Sequence, residues 1–279
     1  MYELLKKTHI TDSVTEYVFH APLIAKNGKP GQFVLFRIDE LGERVPITLC
    51  GTDAEQGTVT LLIQSIGAST TRLSKLNEGD RLLDLVGPLG MATHLDGHNN
   101  VMLVAGGIGV AVLYPQAKLL RSQGKKVTCI MGARSKDLLS YVEQMREVCD
   151  ELIITTDDGS YGIKGFVTVV LQEMLQNSPG VYDLVFAVGP LRMMQAVCNV
   201  TKPFGVATVV SMNPIMVDGT GMCGCCRLTV GGEVKYACVD GPEFDGHKVD
   251  FEEVINRNRF YDEIEKEHLC RLTGERKNG

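Results

Sequence analysis

Four residues in the last quarter of the chain carry the strongest chemical signal. Asp218, Cys223, Cys226 and Cys238 are spaced Asp-x4-Cys-x2-Cys-x11-Cys. A Cys-x2-Cys pair in a glycine-rich turn sets two thiolates on one side of the chain. A third Cys on a following hairpin can close around a metal or a cluster. Plant-type [2Fe–2S] sites space their ligands Cys-x4-Cys-x2-Cys before a distant Cys, and here a carboxylate stands at the first position. Carboxylate is a harder ligand than thiolate but still binds iron. Gly219, Gly221 and Gly224 leave room for backbone amides to approach sulfides. The spacing also admits a zinc site built from Cys and Asp. Cys225, between two candidate ligands, is expected to point away from them. Cys50, Cys129, Cys149, Cys198 and Cys270 are scattered and read as small core hydrophobes.

A second group of signals suits phosphates. Gly106-Gly107-Ile108-Gly109 follows an apolar run and opens a helical one, so backbone amides and a helix N-terminus can reach a pyrophosphate. Val112 keeps it from the strict G-x-G-x-x-G pattern. Two further glycine-bearing loops, Thr156–Gly162 and Gly189-Pro190 onward, also follow strands. Three such loops at the carboxyl ends of successive strands form one crevice, where open α/β sheets bind ligands. Earlier in the chain, Arg44-Val45-Pro46-Ile47-Thr48 is a compact cationic strand, and Gly67-Ala68-Ser69-Thr70-Thr71 is rich in donors. An Arg with a donor-rich helix start suits a diphosphate, although a solvated surface charge explains Arg44 equally well.

The elements that must position these groups fall into three blocks. Gln32–Ile38, Thr58–Ile63 and Arg81–Val86 are short β-rich runs with Gly/Pro punctuation, which predicts a small antiparallel barrel. From Asn99 onward, strands and helices alternate. Strands are predicted at 100–105, 126–131, 151–155, 183–188 and 208–211, with helices to about Gln123, over 138–149 and 167–176, and after Pro190. That alternation predicts a parallel, doubly wound sheet. The expected boundaries are a barrel over 1–98, a nucleotide domain over 99–212, a cluster segment over 213–248 and a charged extension over 249–279 that frays at Lys277-Asn278-Gly279.

The 279 residues are 44% hydrophobic and 22% charged, enough to bury a large core and to exclude global disorder. A net charge of −6 argues against a general nucleic-acid binder. No apolar run reaches the ~18 residues of a membrane span, and Met1–Lys7 reads as no secretory signal. The expected compartment is the cytoplasm, where clustered Cys mean metal more often than disulfide.

At Pro30–Val34, Arg44–Thr48, Gly87–Gly90, Thr156–Gly165 and Met216–Gly224 the chain resembles the ferredoxin-reductase-type flavoproteins. More narrowly it resembles the small electron-transfer subunits of the dihydroorotate dehydrogenase and sulfide dehydrogenase group. Asp218 in place of the first cluster Cys is similar to the branch that serves NADH-dependent reduced ferredoxin:NADP oxidoreductase. The resemblance implies FAD in the barrel, with Arg44 on its phosphate, Pro46, Ile47 and Thr48 along the flavin, and Gly67, Ser69 and Thr70 near the pyrophosphate. Ser69 stands where related subunits carry Gly. It implies NAD(H), with NADP(H) as the alternative, on Gly106, Gly107 and Gly109, with Asp157, Asp158, Gly189 and Pro190 nearby. Ala105, Val112 and Val188 depart from the usual Gly, Pro and Cys of those loops. It implies a [2Fe–2S] cluster on Asp218, Cys223, Cys226 and Cys238. It also implies a larger flavin and iron–sulfur partner subunit, through which the complex couples NADH, NADPH and ferredoxin by electron bifurcation; a dihydroorotate dehydrogenase electron-transfer subunit and a sulfide dehydrogenase subunit are the alternatives. A zinc-stabilised nucleotide-binding regulator is the non-enzymatic alternative.

Overall fold

The computed structural model describes residues 1–274; Lys277, Asn278 and Gly279 lie outside the described residues. The N-terminal block holds β1 (Tyr2–His9), β2 (Val14–His20), α1 (Pro22–Asn27), β3 (Phe33–Arg37), β4 (Val45–Thr48), β5 (Gly51–Asp53), β6 (Thr58–Gln64), α2 (Ala68–Leu73), β7 (Arg81–Leu82) and β8 (Asp84–Leu89). Two antiparallel sheets, ordered β5-β6-β2-β1-β7 and β4-β3-β8, enclose one core around Tyr17, Phe19, Phe36, Leu61 and Leu85. The run expected as one strand over Arg81–Val86 is two, β7 and β8, which join different sheets. The chain switches sheets at Leu83, whose N–H bonds to Ile38 O at 3.1 Å.

The middle block holds β9 (Asn100–Gly106), α3 (Val110–Ser122), β10 (Lys126–Ala133), α4 (Val142–Val148), β11 (Glu151–Thr156), β12 (Ile163–Lys164), α5 (Val167–Asn177), β13 (Leu184–Val188), α6 (Leu191–Thr201) and β14 (Ala207–Ser211). Its strands are ordered β12-β11-β10-β9-β13-β14 and all run parallel. The apolar run of β9 is buried on both faces, as a central parallel strand must be. Its alternate residues feed two cores: Val101, Leu103 and Ala105 pack with α3, and Met102 and Val104 pack toward α5 and α6. The helix expected over 138–149 begins later, at Val142, because Tyr141 before it takes a left-handed conformation with φ 57°.

The last block holds β15 (Arg227–Val230), β16 (Glu233–Tyr236), β17 (Glu243–Asp245), α7 (Phe251–Arg259) and α8 (Asp262–Thr273). β15 and β16 form a hairpin whose two turn residues, Gly231 and Gly232, sit at φ 61° and 84°. Two consecutive positive φ values are what a tight I′ hairpin turn demands. β17 adds antiparallel to β14 and so stitches this block to the edge of the parallel sheet. Cys50, Cys129, Cys149 and Cys198 are buried as expected, whereas Cys270 is only half-buried, because α8 lies on the surface. Among the described residues no helix is long and apolar enough to cross a membrane.

Candidate functional site

The strand order places the topological switch between β9 and β13, whose chains leave the sheet in opposite directions. Two glycine loops meet there. A Cβ on Gly109 would lie 2.2 Å from Val188 O, and one on Gly189 would lie 3.0 Å from Gly106 Cα. Glycine at these positions lets the two loops touch backbone to backbone. Gly107 at φ 55° completes the turn into α3.

A cavity of about 1040 Å³ opens over this contact and runs into the barrel. Gly106, Gly107, Gly109, Asp157, Gly189 and Pro190 line it from the parallel sheet, and Pro46, Ile47, Thr48, Gly67, Ser69 and Thr70 line it from the barrel. These are sequence-expected residues from two blocks brought to one wall. Two others do not line it. Arg44 is exposed, while its neighbours Glu43 and Val45 reach the cavity. Asp158 instead caps its own turn: its Oδ1 accepts the Ser160 N–H at 2.9 Å and the Ser160 hydroxyl at 2.6 Å, which hold its carboxyl below the usual range.

The hydroxyl of Thr70 is turned onto its own loop. It accepts the Gly67 N–H at 3.0 Å and the Ile66 N–H at 3.1 Å, and donates to Gly67 O at 3.1 Å. Thr70 therefore shapes the start of α2, and the amides of the first turn remain for a phosphate. Ser69 Oγ donates to Glu43 Oε2 at 3.1 Å.

Sequence reasoning missed part of the wall. Met212, Asn213 and Pro214 line the cavity just past β14, at the carboxyl edge of the sheet, where the strand alternation could have placed them. Glu265 and His268 also reach it from α8, with His268 Nδ1 3.5 Å from Glu43 Oε1. No local pattern signals that contact, because it joins the two ends of the chain. Met193 lines the cavity, whereas its neighbour Met194 is fully buried.

The cysteine segment is built around the β15–β16 hairpin. Cys226 precedes β15 and Cys238 follows β16, so pairing Arg227 with Tyr236 brings the two thiols together. Their Sγ atoms lie 3.2 Å apart, both residues are buried, and the Cys238 N–H points at Cys226 Sγ from 3.5 Å. Burial and then Cys226 push the Cys238 thiol up to about 12. The other two candidates also form a pair. Asp218 Oδ2 accepts the Cys223 N–H and Oδ1 accepts the Thr220 N–H, each at 2.9 Å. The Thr220 bond above all, helped by Cys223, lowers the Asp218 carboxyl. Gly219 at φ 76° lies so close to Leu35 and Leu89 of the barrel that a Cβ would come within 2.7 Å of Leu89 Cδ1. The segment is thus pressed against the strand that enters the cavity at Phe33.

Four donors arranged as two pairs suit a binuclear cluster, which takes two ligands on each iron. Among the described residues no three His, Cys, Asp or Glu side chains are gathered closely enough to hold a metal ion, so the four donors stand as two separate pairs. Cys225 is half-buried beside Cys223, and burial and then that neighbour raise its thiol.

Residues 213–250 match the family model of the iron–sulfur cluster binding domain of dihydroorotate dehydrogenase B. The chain is 45% identical over 276 residues to a Thermotoga maritima protein named as a homolog of the dihydroorotate dehydrogenase B (NAD(+)) electron transfer subunit, covering 98% of this chain and 97% of that protein. It is 39% identical over 221 residues to a probable electron transfer subunit of that enzyme from Thermococcus kodakarensis, covering 79% and 86%. A solved structure described as the NADH-dependent reduced ferredoxin-NADP oxidoreductase, studied for flavin-based electron bifurcation, superimposes with a TM-score of 0.92 at 44% identity over 98% of both chains. On that breadth of likeness, carried through barrel, sheet and cysteine segment alike, the chain belongs to the family of dihydroorotate dehydrogenase B-type electron-transfer subunits.

Proposed function

We propose that this chain passes electrons between NAD(H), FAD and a [2Fe–2S] cluster, and on to a larger flavin and iron–sulfur partner subunit in the cytoplasm. One observation carries the reading: a single cavity joins the barrel wall, the glycine loops of the sheet switch point and the block that holds the cysteine pairs. FAD, when bound, supplies the step between a two-electron donor and a one-electron carrier.

The chain's own residues bind and orient. Pro46, Ile47 and Thr48 offer an apolar and hydroxyl wall for a flavin ring, and the first turn of α2 offers amides for its diphosphate. Gly106, Gly107 and Gly109, at the mouth of α3, offer amides for the nicotinamide nucleotide. The contact of Gly189 with Gly106 fixes the floor on which the two ligands would meet. Cys226 and Cys238 would hold one iron and Asp218 and Cys223 the other, with the three left-handed glycines keeping the loop close. Cys223 is the exposed ligand, and Val217, Met222 and Val239 stand exposed in the same segment. That apolar surface fits a protein partner better than solvent.

The coupling of NADH, NADPH and ferredoxin by bifurcation belongs to the complex with the partner. The likeness to the bifurcating oxidoreductase, with Asp218 at the first ligand position, favours that complex over a dihydroorotate dehydrogenase. The absorption spectrum of the purified chain tests the core of the reading. Flavin bands with broad iron–sulfur absorption, both bleached by NADH, are expected; a colourless protein containing zinc refutes it. Co-purification of the partner from the native host identifies the acceptor.

A further inference from the structure

Glu243 opens β17, one residue after Pro242, which lines the cavity. Its Oε1 accepts the Thr93 hydroxyl at 2.6 Å and Gln116 Nε2–H at 3.2 Å. Thr93 follows the barrel strands, Gln116 lies on the helix that leaves the glycine loop, and Glu243 lies in the block that carries the cysteines. One carboxylate oxygen therefore ties all three blocks. Gly31 closes the remaining side: at φ 88°, its Cβ would lie 2.3 Å from Thr93 Oγ1 and 2.7 Å from Glu243 Oε1. Two residues later, Phe33 lines the cavity. The carboxyl therefore adjoins two segments, at Pro242 and at Gly31–Phe33, that reach the cavity.

Among the described residues no cationic side chain pairs with it. The side chains that face it from the neighbouring segments are Thr93 and Gln116, and its strand partner on β14 is Ser211. None of these titrates. Burial pushes the Glu243 carboxyl up to about 7, against the two hydrogen bonds that lower it. Gln116 is fully buried and its Oε1 has no hydrogen-bond donor among the described residues, so this polar group is one donor short. A proton on Glu243 could serve that oxygen if the Gln116 amide turned over, exchanging Nε2 for Oε1 at the carboxyl.

We propose that Glu243 is a redox-linked proton site, taking up a proton as negative charge builds in the adjacent cavity and releasing it on reoxidation. The inference rests on FAD occupying that cavity. Glu243 is half-buried, and charges at partly desolvated sites act on one another more strongly than in open water; an acid whose two forms are nearly balanced responds to a small change in local potential. NAD(H) supplies the electrons. The proton comes from solvent, forms one O–H bond on Glu243 and returns to solvent when the electrons leave, so no electron resides on the residue. Glu243 would thereby couple pH to the flavin's potential without touching substrate.

Spectroelectrochemical titration of the flavin-loaded chain between about pH 6 and pH 9 tests this. The wild-type flavin potential should show one more proton per reduction around neutral pH than outside that window. Glu243→Gln keeps an acceptor for Thr93 and Gln116 but cannot ionise, so the extra proton should vanish while FAD stays bound. Thr93→Val removes a donor that favours the charged form, so the window should move to higher pH. A flavin-loaded Glu243→Gln chain with the wild-type pH dependence, or a Thr93→Val window that does not rise, overturns the proposal alone. A chain that binds no flavin overturns the electron-transfer reading and this inference with it.

Discussion

The Tyr141 hydroxyl donates a hydrogen bond to Glu16 Oε2 across the seam between the barrel and the parallel sheet. Tyr141 is buried and, among the described residues, is the one non-glycine residue at positive φ. Its ring meets Tyr114 of α3 edge-on, with centroids 5.3 Å apart at 81°. A bulky residue in the left-handed region costs energy and persists where its surroundings over-determine it. Here they do, because the same side chain packs on α3 and bonds to β2.

Tyr141→Phe keeps the ring and the backbone and removes that bond. Leaving a partly buried carboxylate without its donor costs about 1–2 kcal/mol, or a Tm lowered by several degrees in a chain of this size. Thermal unfolding followed by circular dichroism reads it; an unchanged Tm would show that the bond contributes nothing to the seam.

Gly109→Ala places a methyl 2.2 Å from Val188 O, a contact that only backbone displacement can relieve. The two glycine loops should separate while the barrel is undisturbed. The expected result is a KM for NADH raised by about tenfold or more, equivalent to at least ~1.4 kcal/mol, with FAD content unchanged. Loss of FAD together with NADH binding would mean that the two sites are not separable in this way.

Cys226→Ser and Cys238→Ser should each abolish iron–sulfur absorption, whereas Cys225→Ser should retain it. Asp218→Cys is the finer variant. It should keep the cluster but alter its EPR spectrum and potential, since ligand charge and hydrogen bonding tune both. An unchanged spectrum and potential would mean that the Asp218 carboxylate only braces the loop through Thr220 and Cys223.

Glu243 also sets a pH dependence of stability. Its carboxyl is raised from 4.5 to about 7 in the folded chain, so between those values the folded state binds more protons than the unfolded. The associated stability is fully present below about pH 4.5 and is lost as pH rises through about 7. At 1.36 kcal/mol per unit, the loss is at most about 3 kcal/mol. Denaturant unfolding of the wild type and Glu243→Gln across that range should show a slope present in the first and absent in the second.

Much of the architecture was legible because its cause is local. The doubled burial of β9, the alternation of strand and helix after Asn99, and the glycine loops at strand ends all arise from residues within a few positions of one another. The Asp218, Cys223, Cys226 and Cys238 spacing was legible for the same reason: the hairpin that joins the last two is itself a short-range element.

Other features depend on segments that no local pattern connects. Thr93 and Glu243 are 150 residues apart, and Tyr141 and Glu16 are 125 apart. Arg44 is on the expected strand border, yet its side chain does not line the cavity, while Glu265 and His268 of the last helix do. Residue type and spacing by themselves determined which chemistries the chain can support: thiolate and carboxylate ligands for iron, and glycine turns for phosphates. Only the tertiary structure decided which of those groups share a wall, because burial and mutual contact come from how the barrel, sheet and hairpin pack.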